Sequence, residues 1–195
     1  MVREVCGIVK FAGVPAIVSF TPPLVKRLRI RGAIWYNSPC DMKKLKIYLE
    51  TTLFNYYFDE DRDAHADTVR LFGEIRAGKH EAYTSDVVTD ELEKTSSPKR
   101  EMMLGLIKEF DITVLIAGDS DDALADFYVA EGIIPLKYRT DGIHIAVAVT
   151  NRLDYIVSMN FKHIVKPKTK MTVNAINALR GYNPIALVSP YEYID

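Results

Sequence analysis

Short apolar runs alternate with longer segments of helical periodicity through most of the chain. The runs are rich in β-branched and aromatic residues, as buried strands are. They occupy residues 45–50, 81–84, 112–116, 155–159 and 185–189. Between them, apolar residues recur at intervals of three and four, as Val69, Phe72 and Ile75 do, which indicates helices. Alternating strands and helices favour parallel pairing with right-handed crossovers. The pattern therefore predicts an α/β fold with three layers, α/β/α, around a mostly parallel five-stranded sheet.

Two polar positions fall at the ends of these predicted elements. Asp141 opens the helix before the fourth strand, and Asn160 closes that strand. In an open parallel sheet, the ends of strands and the starts of the following helices meet at the carboxyl edge, where ligands bind. An acid in a first helical turn is also common for electrostatic reasons alone. The functional interpretation therefore depends on other acids lying at the same edge.

Glu50 and Glu91 are the acids that complete such a group. Glu50 ends the first predicted strand. On a helical wheel with Val87 at 0°, Glu91 falls at about 40°, within the apolar arc, whereas Asp90 and Glu93 point away. A buried acid is costly unless it has a partner, so the inward position of Glu91 predicts that it has a functional partner. We expect the side chains of Glu50, Glu91, Asp141 and Asn160 to converge.

Three crowded carboxylates favour a divalent cation. They repel one another, and without a cation some of them take up protons. Ions that prefer oxygen, Mg²⁺ or Mn²⁺, remove this repulsion. The histidines are scattered along the sequence and give no cluster that favours zinc; they are His65, His80, His144 and His163. An acidic Mg²⁺ or Mn²⁺ site is suited to phosphodiester hydrolysis.

Composition separates a leading segment, residues 1–41, from the domain at 42–195. The whole chain of 195 residues has a net charge of −1, which excludes a general nucleic-acid-coating protein. The leading segment is basic and contains prolines, and it holds both cysteines, Cys6 and Cys40. We expect it to be either poorly ordered or upstream of a second translation start at Met42. Its basic cluster at 26–31 is either an RNA-contacting arm or solvated surface.

No feature of the sequence predicts export or a membrane span. The apolar stretch 5–25 is interrupted by Lys10 and several prolines, and no cleavage site follows it. Two cysteines near one end give no disulfide framework, so a reducing cytoplasm is the expected location.

Four short motifs, in this order, resemble the PIN-domain family, the ribonuclease fold of VapC-type toxins. They are IYLETTLFN (47–55), SDVVTDELEK (85–94), DGIHIAVAV (141–149) and IVSMNFKHI (156–164), and the likeness extends over about residues 45–189. The resemblance implies a metal-dependent endoribonuclease with Mg²⁺ or Mn²⁺ bound by Glu50, Glu91 and Asp141. It places Asn160 at the fourth catalytic position and Thr52 as support for Glu50. It also implies an RNA substrate, and a small antitoxin protein as partner; we further expect a homodimer.

Two residues depart from the pattern of that family. The first position usually holds Asp, and Glu50 extends the carboxylate by about 1.5 Å. The fourth position holds the neutral Asn160. A catalytically weak module that binds RNA or a protein partner is therefore the alternative.

The segment that follows Asn160 supplies candidate RNA contacts. They are Lys162, His163 and Lys166, although lysines in such a run are more often solvated and His163 more often packed. A third class, a receiver-type phosphotransfer domain, needs an acceptor Asp on the middle strand. The run ITVLIAG at 112–118 offers none.

Overall fold

The computed structural model describes residues 5–11, 14–20 and 44–194. The chain divides into two compact units between Lys43 and Lys44. In the first unit, β1 (Val5–Phe11) pairs with β2 (Val14–Phe20) in antiparallel register, with Val5 opposite Phe20. The basic cluster at 26–31 lies outside the described residues. That residues 1–41 are poorly ordered or precede a second translation start stays a prediction.

The second unit is built on a five-stranded sheet. Its strands are β3 (Leu45–Leu49), β4 (His80–Ser85), β5 (Thr113–Leu115), β6 (Tyr155–Val157) and β7 (Ala186–Val188). They lie in the order β5-β4-β3-β6-β7, and every neighbouring pair is parallel. The predicted α/β class with a five-stranded parallel sheet is confirmed. The strands are up to two residues shorter or longer at their ends than the apolar runs suggest.

Helices connect and flank these strands. They are α1 (Thr51–Tyr56), α2 (His65–Arg76), α3 (Asp86–Glu93), α4 (Lys99–Glu109), α5 (Asp119–Ala130), α6 (Arg139–Thr150), α7 (Pro167–Leu179) and α8 (Pro190–Tyr193). None of the helices in the described part of the chain is long and apolar enough to cross a bilayer.

Helix α6 begins two residues before the predicted start at Asp141. A single 3-10 turn, Leu136–Tyr138, precedes it, and Arg139 is its first residue. The guanidinium of Arg139 donates to the carboxylates of Asp122 (2.8 Å) and Asp126 (2.6 Å) on α5. This pairing holds the start of α6 against α5, so Asp141 lies within the first turn.

The core lies around the central strand β3. Ile47, Tyr48 and Leu49 are fully buried, as expected of a strand with paired neighbours on both sides and helices over the sheet. Helices α5 and α6 approach closely at Gly142. A Cβ atom, which glycine lacks, would lie 3.5 Å from the Cβ of Ala125 there. Because β3, β4 and β6 are parallel neighbours, the residues that follow them share one edge of the sheet. Helix α6 packs near this edge.

Candidate metal centre

Residues from three adjacent strands and two helices meet at the carboxyl edge of the sheet. Glu50 directly follows β3, and Ser158 directly follows β6. Helix α3, which begins after β4, carries Glu91, and α6 carries Asp141. Parallel strands bring these positions together, because all of their carboxyl ends lie on one side of the sheet.

Glu50 is buried and is held by two hydroxyl groups. Its side chain and backbone are 4% exposed. Its Oε2 accepts hydrogen bonds from Thr52 Oγ1 and from Ser158 Oγ, the latter at 2.8 Å. Thr52 Oγ1 in turn accepts the backbone N–H of Met159 at 2.9 Å, which ties α1 to the loop after β6. Thr52 thus contacts Glu50 in the way that the resemblance implies.

Glu91 is half-buried and points inward, whereas Asp90 and Glu93 are exposed, in agreement with the helical wheel. Its Oε2 accepts a hydrogen bond from Thr51 Oγ1 and lies 3.3 Å from His144 Nε2. Burial by itself raises the pKa of Glu91. The hydrogen bond and charge of His144, with the Thr51 hydroxyl, outweigh it, so the pKa is below its usual value. Glu91 is therefore held as a carboxylate.

His144 also belongs to this cluster, which the spacing of the histidines along the sequence did not indicate. It is 1% exposed. Its Nδ1 lies 2.8 Å from the hydroxyl of Tyr48, which lies 2.6 Å from Ser85 Oγ. Ser85 makes no side-chain cap to α3. Its hydroxyl is directed into the core instead.

The charge around His144 favours its protonated form. Burial alone lowers the pKa of this imidazole. The hydrogen bond to Glu91 and the negative charges of Glu50, Glu91 and Asp141 prevail, and the pKa is raised above its ordinary value. The sequence contained a signal for this residue. His144 lies three positions after Asp141, on the same helical face, within an otherwise apolar run.

Asp141 is the acid with the least compensation. It is half-buried, and its Oδ2 is buried yet accepts no hydrogen bond from any of the described residues. Burial raises its pKa, and the charge of Glu50 adds to this increase. Opposing contributions from His144, Asn160 and His163 are smaller, so the pKa stays above its ordinary value. A buried acceptor without a donor is costly, and a cation is one group that satisfies it.

The side chains that could bind a metal here suit a divalent cation. Glu50, Glu91 and His144 each offer one ligand atom, and these three atoms all lie within 4.8 Å of one another. Asp141 stands outside that tightest group but close enough for its pKa to respond to Glu50 and His144. Two fixed carboxylates, an imidazole and an unsatisfied third carboxylate are the kinds of ligand that bind such ions.

Comparison with known proteins gives no match at the level of sequence, since no protein-family model and no curated protein matches this chain. Among solved structures, the chain is similar to Mycobacterium tuberculosis VapC20, described as a sarcin–ricin loop cleaving toxin. The likeness has 13% identity and a TM-score of 0.44, and covers 56% of this chain and 86% of that one. It is also similar to VapBC2 from Rickettsia felis, bound to a DNA fragment from its promoter. That likeness has 15% sequence identity and a TM-score of 0.43, and it covers 64% of this chain and 95% of that one.

The five parallel strands and the helices between them have the arrangement that the sequence resemblance implies. The fold is α/β, with helices flanking a five-stranded parallel sheet.

Asn160 borders the cluster through its neighbours. Its backbone N–H donates to Ser158 Oγ at 2.9 Å, and its Oδ1 accepts the backbone N–H of His163 at 3.1 Å. The amide of Asn160 also favours the charged form of Asp141, whose pKa it lowers. Asn160 therefore orders the loop after β6 beside the acids.

The three candidate RNA contacts differ in their surroundings. The ring of His163 stacks on Tyr138, with centroids 3.9 Å apart and planes 28° apart. Lys162 and Lys166 are exposed. The packed position of His163 favours a structural role, whereas the side chains of Lys162 and Lys166 are accessible to solvent.

Proposed function

We propose that this protein is a metal-dependent endoribonuclease of the PIN-domain type, with Mg²⁺ or Mn²⁺ held by Glu50, Glu91 and Asp141. The observation that carries the proposal is the buried Oδ2 of Asp141, without a donor among the described residues, beside two fixed carboxylates. A site with this much uncompensated acid reduces the stability of the fold. Cation binding is a function that offsets such a cost.

The chain's own residues prepare the site for phosphodiester chemistry. When bound, the cation supplies positive charge that polarises the phosphate and lowers the pKa of water. Thr52 and Ser158 fix the carboxylate of Glu50, and Thr51 fixes that of Glu91. Because these hydroxyl groups are already in place, the ligands need little reorganisation when charge develops. Asn160 orders the adjoining loop.

RNA is the proposed substrate, and the exposed Lys162 and Lys166 are its proposed contacts outside the acids. Both lie in the segment that follows Asn160, and neither has an ion pair among the described residues. Lysines in this position attract the phosphates on either side of the scissile bond.

The proposed biological role is that of the toxin in a toxin–antitoxin pair. This role is supported by the four sequence motifs and their order. It implies a small antitoxin protein as partner, a homodimeric toxin and a cytoplasmic location.

The test is RNA cleavage by the purified chain with Mg²⁺ or Mn²⁺, with excess chelator as reference. We expect cleavage that depends on the cation. Asp141→Asn is expected to lower the rate by about 10²-fold or more, because electrostatic stabilisation of the transition state is usually the largest catalytic contribution. Glu93→Gln is the matched control, since Glu93 is an exposed acid on the same helix as Glu91.

Two results would count against this proposal. Cleavage that persists in chelator, or that survives in Asp141→Asn, places the activity elsewhere. RNA binding without cleavage in either ion favours the catalytically weak module instead.

A further inference from the structure

We propose that His144 is itself a ligand of the cation, through Nε2, and that this nitrogen makes the site select Mn²⁺ over Mg²⁺. The inference rests on the cation site of the proposed function. It adds a ligand that the sequence resemblance does not supply and narrows the two candidate ions to one.

The position of Nε2 is the first support. It lies 3.3 Å from Glu91 Oε2, and it shares a group with oxygens of Glu50 and Glu91 whose atoms all lie within 4.8 Å of one another. Around a six-coordinate ion with bonds of about 2.1 Å, adjacent ligands are about 3 Å apart and opposite ligands about 4.2 Å. The separation of Nε2 from Glu91 Oε2 is thus close to that of adjacent ligands. Small side-chain movements suffice to bring all three onto one ion.

The second observation is the hydrogen bond that holds the other ring nitrogen of His144, Nδ1. Ligating histidines usually donate their other N–H to an acceptor, which fixes the tautomer and the ring plane. Here Nδ1 lies 2.8 Å from the Tyr48 hydroxyl, which lies 2.6 Å from Ser85 Oγ. Without a cation, the protonated ring donates Nε2–H to Glu91. A bound cation would displace that proton. Nδ1–H could then still donate to Tyr48 and Tyr48 to Ser85, so that the lone pair of Nε2 faces the carboxylates. Tyr48 and His144 are both fully or almost fully buried, so this arrangement is rigid.

The chemistry of the donor set then sets the preference between the ions. Mg²⁺ takes oxygen ligands almost exclusively and retains several waters. Mn²⁺ accepts the same carboxylates, and as a first-row transition ion it also gains from an imidazole nitrogen. A site with two or three carboxylates and one buried imidazole is therefore better matched to Mn²⁺.

The experiment uses the full chain and the metals alone, so it does not depend on cleavage. Mn²⁺ and Mg²⁺ are titrated separately by calorimetry. Pulsed electron paramagnetic resonance of bound Mn²⁺ then detects directly coordinated nitrogen, with ¹⁵N-labelled histidine to identify its source. His144→Gln is the test variant. His65→Gln is the control, since His65 is hydrogen-bonded to the backbone oxygen of Tyr56 on α1 and belongs to no acidic cluster in the part of the chain that the structure describes.

We expect a histidine nitrogen coupling in the parent chain and in His65→Gln, and its loss in His144→Gln. The parent is expected to bind Mn²⁺ at least about tenfold more tightly than Mg²⁺, and the variant to lose most of that preference. If His144→Gln does not fold, a histidine coupling in the parent chain that is kept in His65→Gln still supports the inference, because among the described residues His144 is the histidine grouped with the acids.

The contrary results separate this inference from the proposed function. Mn²⁺ bound without a histidine coupling means that His144 donates through Nε2–H and only positions Glu91. The acid site and the nuclease proposal then stand, and this inference fails. If neither ion binds, the cation site fails together with it.

Discussion

At the scale of single residues, the three acids of the centre differ in how far their surroundings compensate them. Glu50 accepts two hydroxyl donors, and Glu91 accepts one and lies beside His144. The buried Oδ2 of Asp141 has no donor among the described residues. The cost of assembling the site therefore falls mainly on Asp141, and substitutions there should affect stability and cation binding in opposite directions.

Without a cation, Asp141→Asn should stabilise the protein at neutral pH. The pKa of Asp141 is raised in the folded chain above its ordinary value of 3.8. Between 3.8 and the raised pKa, the unfolded chain is already ionised while the folded side chain still holds its proton. The folded state therefore loses stability as the pH rises through this interval. Asn removes this cost. Urea unfolding of both chains in chelator, from pH 4 to pH 7, is the measurement.

The advantage of Asp141→Asn should be present at pH 7 and shrink as the pH falls towards 4. The same variant should lose most of the stabilisation that a divalent cation gives the parent. A variant less stable than the parent at pH 7 in chelator would show that the charge of Asp141 is already compensated.

Glu50→Asp should weaken cation binding, although Asp is the usual residue at the matching position of the family that the sequence resembles. The hydroxyls of Thr52 and Ser158 are placed for the longer side chain. Shortening it by about 1.5 Å withdraws the carboxylate from both donors. Hydrogen bonds to charged groups contribute about 1.5–3 kcal/mol, so we expect a loss of at least about tenfold in affinity. Mn²⁺ titration measures it.

The opposite result of that titration would also be informative. If Glu50→Asp strengthens Mn²⁺ binding and RNA cleavage, Glu50 marks a site in decay, and the alternative of a catalytically weak module gains support.

How far these residues could be predicted depends on the signal that each one leaves in the sequence. The inward direction of Glu91 follows from helical periodicity, because its neighbours Val88 and Leu92 are apolar. His144 lies in a run that is apolar on every side, so periodicity predicts burial but not its contact with Glu91. The bond from Ser85 to Tyr48 is equally invisible, since it joins two strands 37 residues apart.

At the scale of elements, α6 carries the site on one of its turns. Asp141 and His144 are three residues apart, and at Gly142, between them, an added Cβ would lie 3.5 Å from the Cβ of Ala125 on α5. The position of both proposed ligands therefore depends on how closely α5 and α6 approach.

Gly142→Leu should weaken cation binding and destabilise the fold, whereas Gly142→Ala should not. The Cβ of Ala would meet Ala125 at 3.5 Å, which is ordinary contact. Ala should also favour the helix by up to about 1 kcal/mol. Leu overfills the space, at a cost of about 1–3 kcal/mol, and moves α6 away from α5. Thermal unfolding with and without Mn²⁺ compares the two. If Mn²⁺ stabilised both variants equally, the cation site would not depend on the packing of α5 against α6.

The ends of elements were harder to predict than their presence. Helix α6 begins at Arg139 because that residue pairs with Asp122 and Asp126 of α5. Such pairing between elements has no trace in local periodicity. The short helix α8 is capped by Ser189, whose side chain accepts the backbone N–H of Glu192. Four residues are too few to produce a periodic pattern.

At the scale of the whole molecule, the order of the apolar runs was enough to predict the parallel sheet. Helical segments between the runs leave few alternatives to right-handed parallel crossovers. The β1–β2 hairpin was not predicted, because residues 5–25 show apolar character without regular alternation.

A chain that starts at Met42 should fold with the same free energy of unfolding as the full chain. Residues 44–194 form their own compact unit with its own core, and they contain every proposed ligand. Urea unfolding and Mn²⁺ titration of the two chains test this. An insoluble or unfolded product would show that residues 1–41 are part of the fold.

The measurement that tests the central claim most directly is the unfolding of the full chain with increasing Mn²⁺ or Mg²⁺. A cation that binds only the folded state adds about 2.7 kcal/mol at a hundredfold excess over its dissociation constant. We predict a saturable gain of this kind for the parent and for Glu93→Gln, and its loss in Glu91→Gln. Unfolding that is indifferent to both ions in the parent chain would contradict the claim that these acids form a metal centre.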